Sequence, residues 1–295
     1  MYAGAIRNKI TANHAVLAWC LTLLGIAVTF RAWKHIFDIA WDDPEYQHVF
    51  LVPFVAIFLA WVRRGRLPFI RVSGTVLGPL LAGIGWAAGS WGYNHQTQIL
   101  FHSGAVLVVI GCIVSAVGKQ ALFRFIPVAI VLFLMVPMPQ RVRTAVADPL
   151  QEWTASIAGY LLGIMGVNTQ VSGSLLTIND RPVFIEEACN GMRMVFPLLL
   201  IAYGFAFGLP LRASVRILLV LLSPAVALLC NVMRVLPIIW LQGQGPSGQT
   251  WGERLHEHSG WIMVPLAFLV LLGCIRVLKW ATIPVYRYPL ASQSA

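Results

Sequence analysis

Charge is scarce in this chain. Lys, Arg, Asp and Glu together supply 11% of its 295 residues, less than half of the roughly 25% carried by a soluble globular domain. With 58% hydrophobic residues and a mean hydropathy of +0.76, that scarcity excludes a fold solvated on all sides and indicates an integral membrane protein. Acidic residues are rarest, 11 against 21 Lys and Arg. The resulting net charge of +10 would suit nucleic acid, but no basic run is interleaved with aromatics, so nucleic acid is excluded as a partner. Cysteine is equally sparse: Cys20, Cys112, Cys189, Cys230 and Cys274 form neither a CxxC pair nor a zinc spacing. No metal and no cofactor is expected. Internal repeats, low-complexity linkers and a second domain are also lacking, so residues 1–295 read as a single membrane-embedded domain with no fused soluble accessory domain. No small-residue cleavage site follows the first apolar run, which ends in Thr29-Phe30-Arg31-Ala32-Trp33 and reads as an uncleaved anchor.

What the chain does have is apolar length. Runs able to cross a bilayer, about 17–25 residues each, fall near 15–30, 46–62, 74–93, 99–117, 121–138, 190–208, 213–240 and 259–280. The expected fold class is all-α polytopic membrane protein, with about eight transmembrane helices. Loop charges orient it. With the N-terminus in the cytoplasm, inner segments hold thirteen of the 21 Lys and Arg, outer segments six, and Arg193 and Arg234 fall inside apolar helices. Both termini are then cytoplasmic, and residues 139–188 lie outside. There Leu150, Trp153, Ile157, Leu161 and Ile164 recur at helical spacing, predicting an amphipathic helix on the outer leaflet. Leu176, Ile178, Val183 and Ile185 flank Asn179-Asp180-Arg181-Pro182, predicting a short β-hairpin just before Cys189.

Three junctions on that outer side carry reactive groups. Cys189 sits where Glu186-Glu187-Ala188-Cys189-Asn190-Gly191-Met192-Arg193 turns from polar to apolar. A thiol at a helix N-terminus meets free N–H groups and the positive dipole end, which favour the thiolate. Arg234, in Asn231-Val232-Met233-Arg234, lies near the outer end of the seventh run. An Arg there costs about 2.5–3.5 kcal/mol on insertion scales, which a thiolate or an oxyanion partner would offset. His256, in His256-Glu257-His258-Ser259-Gly260-Trp261, precedes the eighth run and is placed to accept the thiol proton and return it to a leaving amine. His258 points to another face, so only one of the two reaches the thiol. Plainer readings stand beside these. Cys20, Cys112, Cys230 and Cys274 lie in apolar runs as small hydrophobes. Arg234 snorkels to the headgroups, Arg193 pairs with Glu186 or Glu187, and His48, His95 and His102 are structural. The joint placement of thiol, guanidinium and imidazole favours a cysteine nucleophile.

The same residues resemble the exosortase/archaeosortase family of membrane cysteine transpeptidases, and the resemblance covers most of the chain. Trp41-Asp42-Asp43-Pro44-Glu45-Tyr46-Gln47-His48 through Pro53 looks like the family's N-terminal motif, and Val136-Pro137-Met138-Pro139 with Pro149-Leu150-Gln151 its middle signature. Glu187-Ala188-Cys189-Asn190-Gly191-Met192-Arg193 is similar to its cysteine motif, Asn231 to Arg234 to its Asn-x-x-Arg, and His256 to Trp261 to its His-x-x-x-Gly-Trp. The resemblance implies Cys189 as nucleophile, Arg234 as its electrostatic partner and His256, rather than His258, as the third catalytic group. Glu187, Asn190, Arg193 and Asn231 stand as supporting residues. It further implies exported substrates with a C-terminal sorting signal, made of a Pro-Glu-Pro-like motif, a membrane helix and a basic tail. Cleavage would fall on the periplasmic face of a bacterial inner membrane, with membrane lipid around the enzyme and any accessory function on another chain. Two departures stand out: Asn190-Gly191 replaces the family's usual Ser-Gly, and no extracytoplasmic domain is fused. Two rival classes remain. A glutamate-type intramembrane protease would use Glu186-Glu187, but Arg193 breaks its spacing. A transporter or channel would hold an anion on Arg193 and Arg234, but the inverted repeats it predicts are not found.

Overall fold

The computed structural model describes residues 11–70, 72, 75–179, 181–184 and 192–281. Helix α1 (Ala12–Val28) is followed across Thr29 by α2 (Phe30–Asp42), bent from it by 74°. A 3-10 helix (Pro44–Leu51) leads into α3 (Val52–Val62), which runs on through a second 3-10 stretch to Phe69. Then come α4 (Leu77–Asn94), α5 (Gln98–Val117), the short α6 (Lys119–Arg124) and α7 (Ile126–Phe133), and the long α8 (Gln140–Ile164). A three-stranded antiparallel sheet follows: β1 (Thr169–Ser172), β2 (Leu175–Ile178) and β3 (Arg181–Phe184), in that order. Helices α9 (Met192–Gly208), α10 (Ala213–Gln242) and α11 (Pro246–Ala281) complete the described chain.

Apolar helix occurs in each of the eight expected regions, but fewer helices are individually able to span. Among the described residues three are long and apolar enough by length and composition, Pro44–Phe69, Gln98–Val117 and Ala213–Gln242, and the bent pair α1 and α2 makes up to four. The shortfall has local causes. The 121–138 run is split at Phe125 between α6 and α7, and α9 has only 17 residues. In α4, glycine and tryptophan dilute the hydropathy. Those glycines do something else. Gly85 packs so closely on α5 that a Cβ there would lie 2.8 Å from the Gly104 carbonyl oxygen, and Gly92 and Gly111 are similarly tight. Between lipid-embedded helices burial from water supplies no attraction, so close backbone approach through small residues holds the pair.

Two groups of helices meet along α3, α7 and α9. Ile36 and Ala40 of α2, Val52, Ala56 and Leu59 of α3, Val131 of α7 and Leu200 of α9 form one buried cluster. A second joins α8, α9, α10 and α11 through Leu150, Met192, Leu198, Leu219, Cys230 and Leu271. Each end of this assembly is tied by polar contacts. At one end the buried Arg63 donates to the carbonyls of Phe207 (3.2 Å) and Arg124 (3.5 Å). At the other, Tyr46 donates from its hydroxyl to the Met138 carbonyl at 3.0 Å. Residues expected on one side of the membrane therefore share one end.

The segment between α7 and α9 differs from the sequence expectation in two respects. The amphipathic helix begins ten residues earlier and has two apolar faces. Trp153, Ile157, Tyr160 and Ile164 are exposed, whereas Leu150, Thr154, Ala158 and Leu162 are buried. Small residues on the inner face admit the sheet: Thr169 donates to the Gly159 carbonyl at 3.1 Å. The expected hairpin is present as β2 and β3. Ile178 pairs with Arg181, and Asn179 takes φ 51°, as a two-residue turn requires. β1 adds a third strand, pairing Thr169 with Ile178. Pro182 sits on the edge strand β3, where its missing N–H is harmless.

Candidate active site

Of the seven proposed site residues, Arg193, Asn231, Arg234 and His256 are described, whereas Cys189, Glu187 and Asn190 lie outside the described residues. The four fall on three helices: Arg193 in the first turn of α9, Asn231 and Arg234 in the C-terminal half of α10, and His256 within α11. α11 begins at Pro246, which places His256 inside the helix rather than before it as the sequence suggested. Asn231 and Arg234, three residues apart, share one face of α10, fully buried and 5% exposed respectively. Asn231 donates from Nδ2 to Thr154 Oγ1 at 3.3 Å, and Thr154 in turn donates to the Leu150 carbonyl at 2.7 Å. This relay pins the Asn-x-x-Arg turn to α8. Interhelical bonds of this kind contribute about 0.6 kcal/mol on average and up to about 1.7 in membrane proteins.

His256 reaches the same level by register. α10 and α11 form an antiparallel pair in which a Cβ on Gly252 would lie 3.1 Å from the Ile238 carbonyl oxygen. In this antiparallel register His256 falls level with Arg234 one turn beyond that contact, and Ser259 level with Asn231 two turns beyond it. The imidazole residue is half-buried. Ser259 is buried and donates from Oγ to the His256 carbonyl at 3.0 Å. Arg193, in the first turn of α9, is half-buried. Its Nε is buried with no hydrogen-bond partner among the described residues.

The chain segment carrying Cys189 is bounded by two described anchors. On one side Val183 of β3 shares a buried cluster with Val235 and Ile239 of α10. On the other, Met192 at the start of α9 is 1% exposed in a cluster with Cys230 of α10 and Leu150 of α8. Arg234 lies between Cys230 and Val235 on α10. The sheet is fixed above them: Gly245, at φ +102°, leaves room for the Arg181 guanidinium, which a Cβ there would approach to 2.7 Å. Over residues 40–273 the chain matches the model of the family described as Transmembrane exosortase (Exosortase_EpsH).

The chain belongs to the transmembrane exosortase family. No curated protein and no solved structure matches it. Membership fixes the broad class, an integral membrane protein of transpeptidase-like family. The remaining cysteines of this exosortase-family chain fit the bland reading: Cys230 is buried, Cys112 and Cys274 half-buried, and Cys20 exposed, all unbridged.

One arrangement escaped sequence reasoning. Arg143 of α8 pairs with Glu45 at 2.8 Å and Asp43 at 3.5 Å, joining the N-terminal motif to the helix after Pro139. Desolvation disfavours its charge, but the hydrogen bond and charge of Glu45, with Tyr46 and Asp43, outweigh that and raise its pKa above the ordinary value. Asp43 also accepts from the Glu45 N–H at 2.9 Å, capping the 3-10 helix. Within that helix His48 stacks on Phe196 of α9, with ring centroids 4.8 Å apart. The motif therefore touches α9 one turn from Arg193. The Asp-Pro-Glu spelling was visible in the sequence; its partner Arg143 had counted only as a loop charge.

Proposed function

We propose that this exosortase-family chain is a cysteine-dependent transpeptidase or protease that cleaves the C-terminal sorting signals of exported proteins at the outer face of a bacterial inner membrane. The observation that carries the proposal is the level shared by His256 and Arg234, with the anchors of the Cys189 segment on either side of Arg234. In this reading His256 takes the proton of the Cys189 thiol. The thiolate attacks the scissile carbonyl carbon, and the carbonyl π electrons move to oxygen, where the Arg234 guanidinium faces the developing charge. Collapse of the tetrahedral adduct breaks the C–N bond. His256 returns its proton to the leaving amine, and the membrane helix and basic tail depart. An acceptor nucleophile then resolves the thioester, or water does so in a protease. Asn231 and Thr154 hold the Arg234 turn, while Glu187, Asn190 and Arg193 support the cysteine segment.

The direct test uses an exported reporter ending in such a signal, co-expressed with the enzyme. Cys189→Ala is expected to abolish processing at unchanged membrane abundance. Joint replacement of Cys20, Cys112, Cys230 and Cys274 by Ala or Ser should retain it. Processing that survives Cys189→Ala would refute the cysteine mechanism.

A further inference from the structure

The elbow between α1 and α2 opens a groove remote from the residues proposed for catalysis. Thr29 shapes it, donating from Oγ1 to the Gly25 carbonyl (2.7 Å) and accepting from Trp33 Nε1 (3.0 Å). The groove, about 480 Å³, runs between Ala27, Val28 and Phe30 on one wall and Gly85, Trp86 and Gly89 on the other. It adjoins a second cavity of about 720 Å³, with which it shares Arg31, Tyr93, Asn94 and Phe101. His35, Gln96 and Gln98 complete the polar part, and the described lining residues of both include no Asp or Glu. From Asn94 to Gly85, α4 descends roughly 13 Å at 1.5 Å per residue, within the roughly 15 Å hydrocarbon depth of one leaflet.

Hydrogen bonding sets what His35 offers. Its Nδ1 lies 2.8 Å from Nε2 of His102, and the rings stack with centroids 5.0 Å apart. His102 is fully buried, and its Nδ1 has no partner among the described residues. If His35 donated, His102 Nδ1 would carry a buried, unsatisfied N–H, the costlier arrangement. The favoured tautomer has His102 Nε2–H donating to His35 Nδ1. His35 then carries its proton on Nε2, the nitrogen left for a ligand. Beside it stands Arg31, the cation among the described lining residues.

We propose that this groove binds a membrane phospholipid, its phosphate diester held by Arg31 and His35 Nε2–H and one acyl chain lying between α1 and α4. A single negative charge matches a site with one cation and no carboxylate among its described lining residues, and a groove walled by Val28, Phe30 and Trp86 continues from that site along α4. This assignment is independent of the cysteine chemistry.

Native mass spectrometry of the detergent-solubilised full chain, titrated with dioleoyl phosphatidylglycerol, tests the site. The unsubstituted chain should retain the lipid, and Arg31→Gln with His35→Leu should retain it about tenfold more weakly, the scale of 1.4 kcal/mol. Ala27→Trp, at an exposed position, should weaken retention by obstructing the apolar part while leaving both polar groups in place. Dioleoylglycerol, which lacks the phosphate, should bind no better than to the double variant. Equal retention by all three proteins overturns the proposal, as does equal binding of dioleoylglycerol. Displacement by excess inorganic phosphate would identify a bare anion site and overturn the lipid assignment. Circular dichroism and size exclusion confirm that the variants compared are folded.

Discussion

Arg234 occupies a buried position in a 30-residue helix, one turn after the fully buried Cys230 and directly before Val235. A snorkelling Arg would tolerate Lys, since both reach headgroups on an apolar stem. A guanidinium facing an oxyanion would not, because Lys keeps the charge but loses the planar fork of donors. Arg234→Lys is therefore expected to insert normally and to lose about 10²–10³ in turnover, the scale of one oxyanion donor. Processing assays normalised to membrane abundance check it; near-normal turnover would leave Arg234 a structural charge. The place of Arg234 within an apolar helix was legible in sequence, because a charge in such a run is costly and therefore conspicuous. Thr154 was not legible. A hydroxyl in a helix is ordinary, and only the packing of α8 on α10 makes it the acceptor for Asn231.

Among the elements, the 3-10 helix after Pro44 and the N-terminal part of α8 act as a latch. Glu45 is 8% exposed and its ion pair with Arg143 crosses nearly a hundred residues of sequence. Breaking one partner, as in Glu45→Gln or Arg143→Met, should cost about 2 kcal/mol, the range for hydrogen bonds to charged groups. The Glu45→Arg, Arg143→Glu exchange should recover part of that loss. Thermal unfolding in detergent reads both, and an exchange no better than the single variants would show that the pair is not coupled. Two elements were hidden from sequence for separate reasons. α2 mixes Arg31, Lys34 and Asp38 with its buried Ala32, Ile36 and Ala40, so its 13 residues look like a charged loop. β1 is mostly exposed, and only its pairing with β2 defines it. The β2–β3 hairpin, by contrast, was announced by its Asn179 turn.

For the molecule as a whole, the contacts sort residues into two ends, and the charge bias predicts which end faces outward. Cys introduced at Gln249 should react with an impermeant maleimide in intact cells, and Cys at Gly65 only after permeabilisation, in a background without native cysteines. Both positions are exposed. The opposite pattern would put the Arg234 end in the cytoplasm. Eight apolar runs could be read from hydropathy, but which cross independently depends on breaks at Phe125 and Thr29 that only the fold shows. The polar ties at the two ends have a mechanical meaning. The continuous helical stretch Pro44–Phe69 is fastened near its start by Glu45 to Arg143 and, past its middle, by Arg63 to the Phe207 carbonyl. Such a strut sets a fixed height and cannot lengthen to follow its surroundings. In bilayers of mismatched thickness the molecule must tilt or deform the lipid, at fractions of a kcal/mol per Å. Reconstituted into vesicles of increasing acyl length, the protein should show an optimum of the proposed processing at one thickness. Releasing the strut with Arg63→Gln should broaden that optimum, whereas a flat profile in the parent protein would show that the ends move freely.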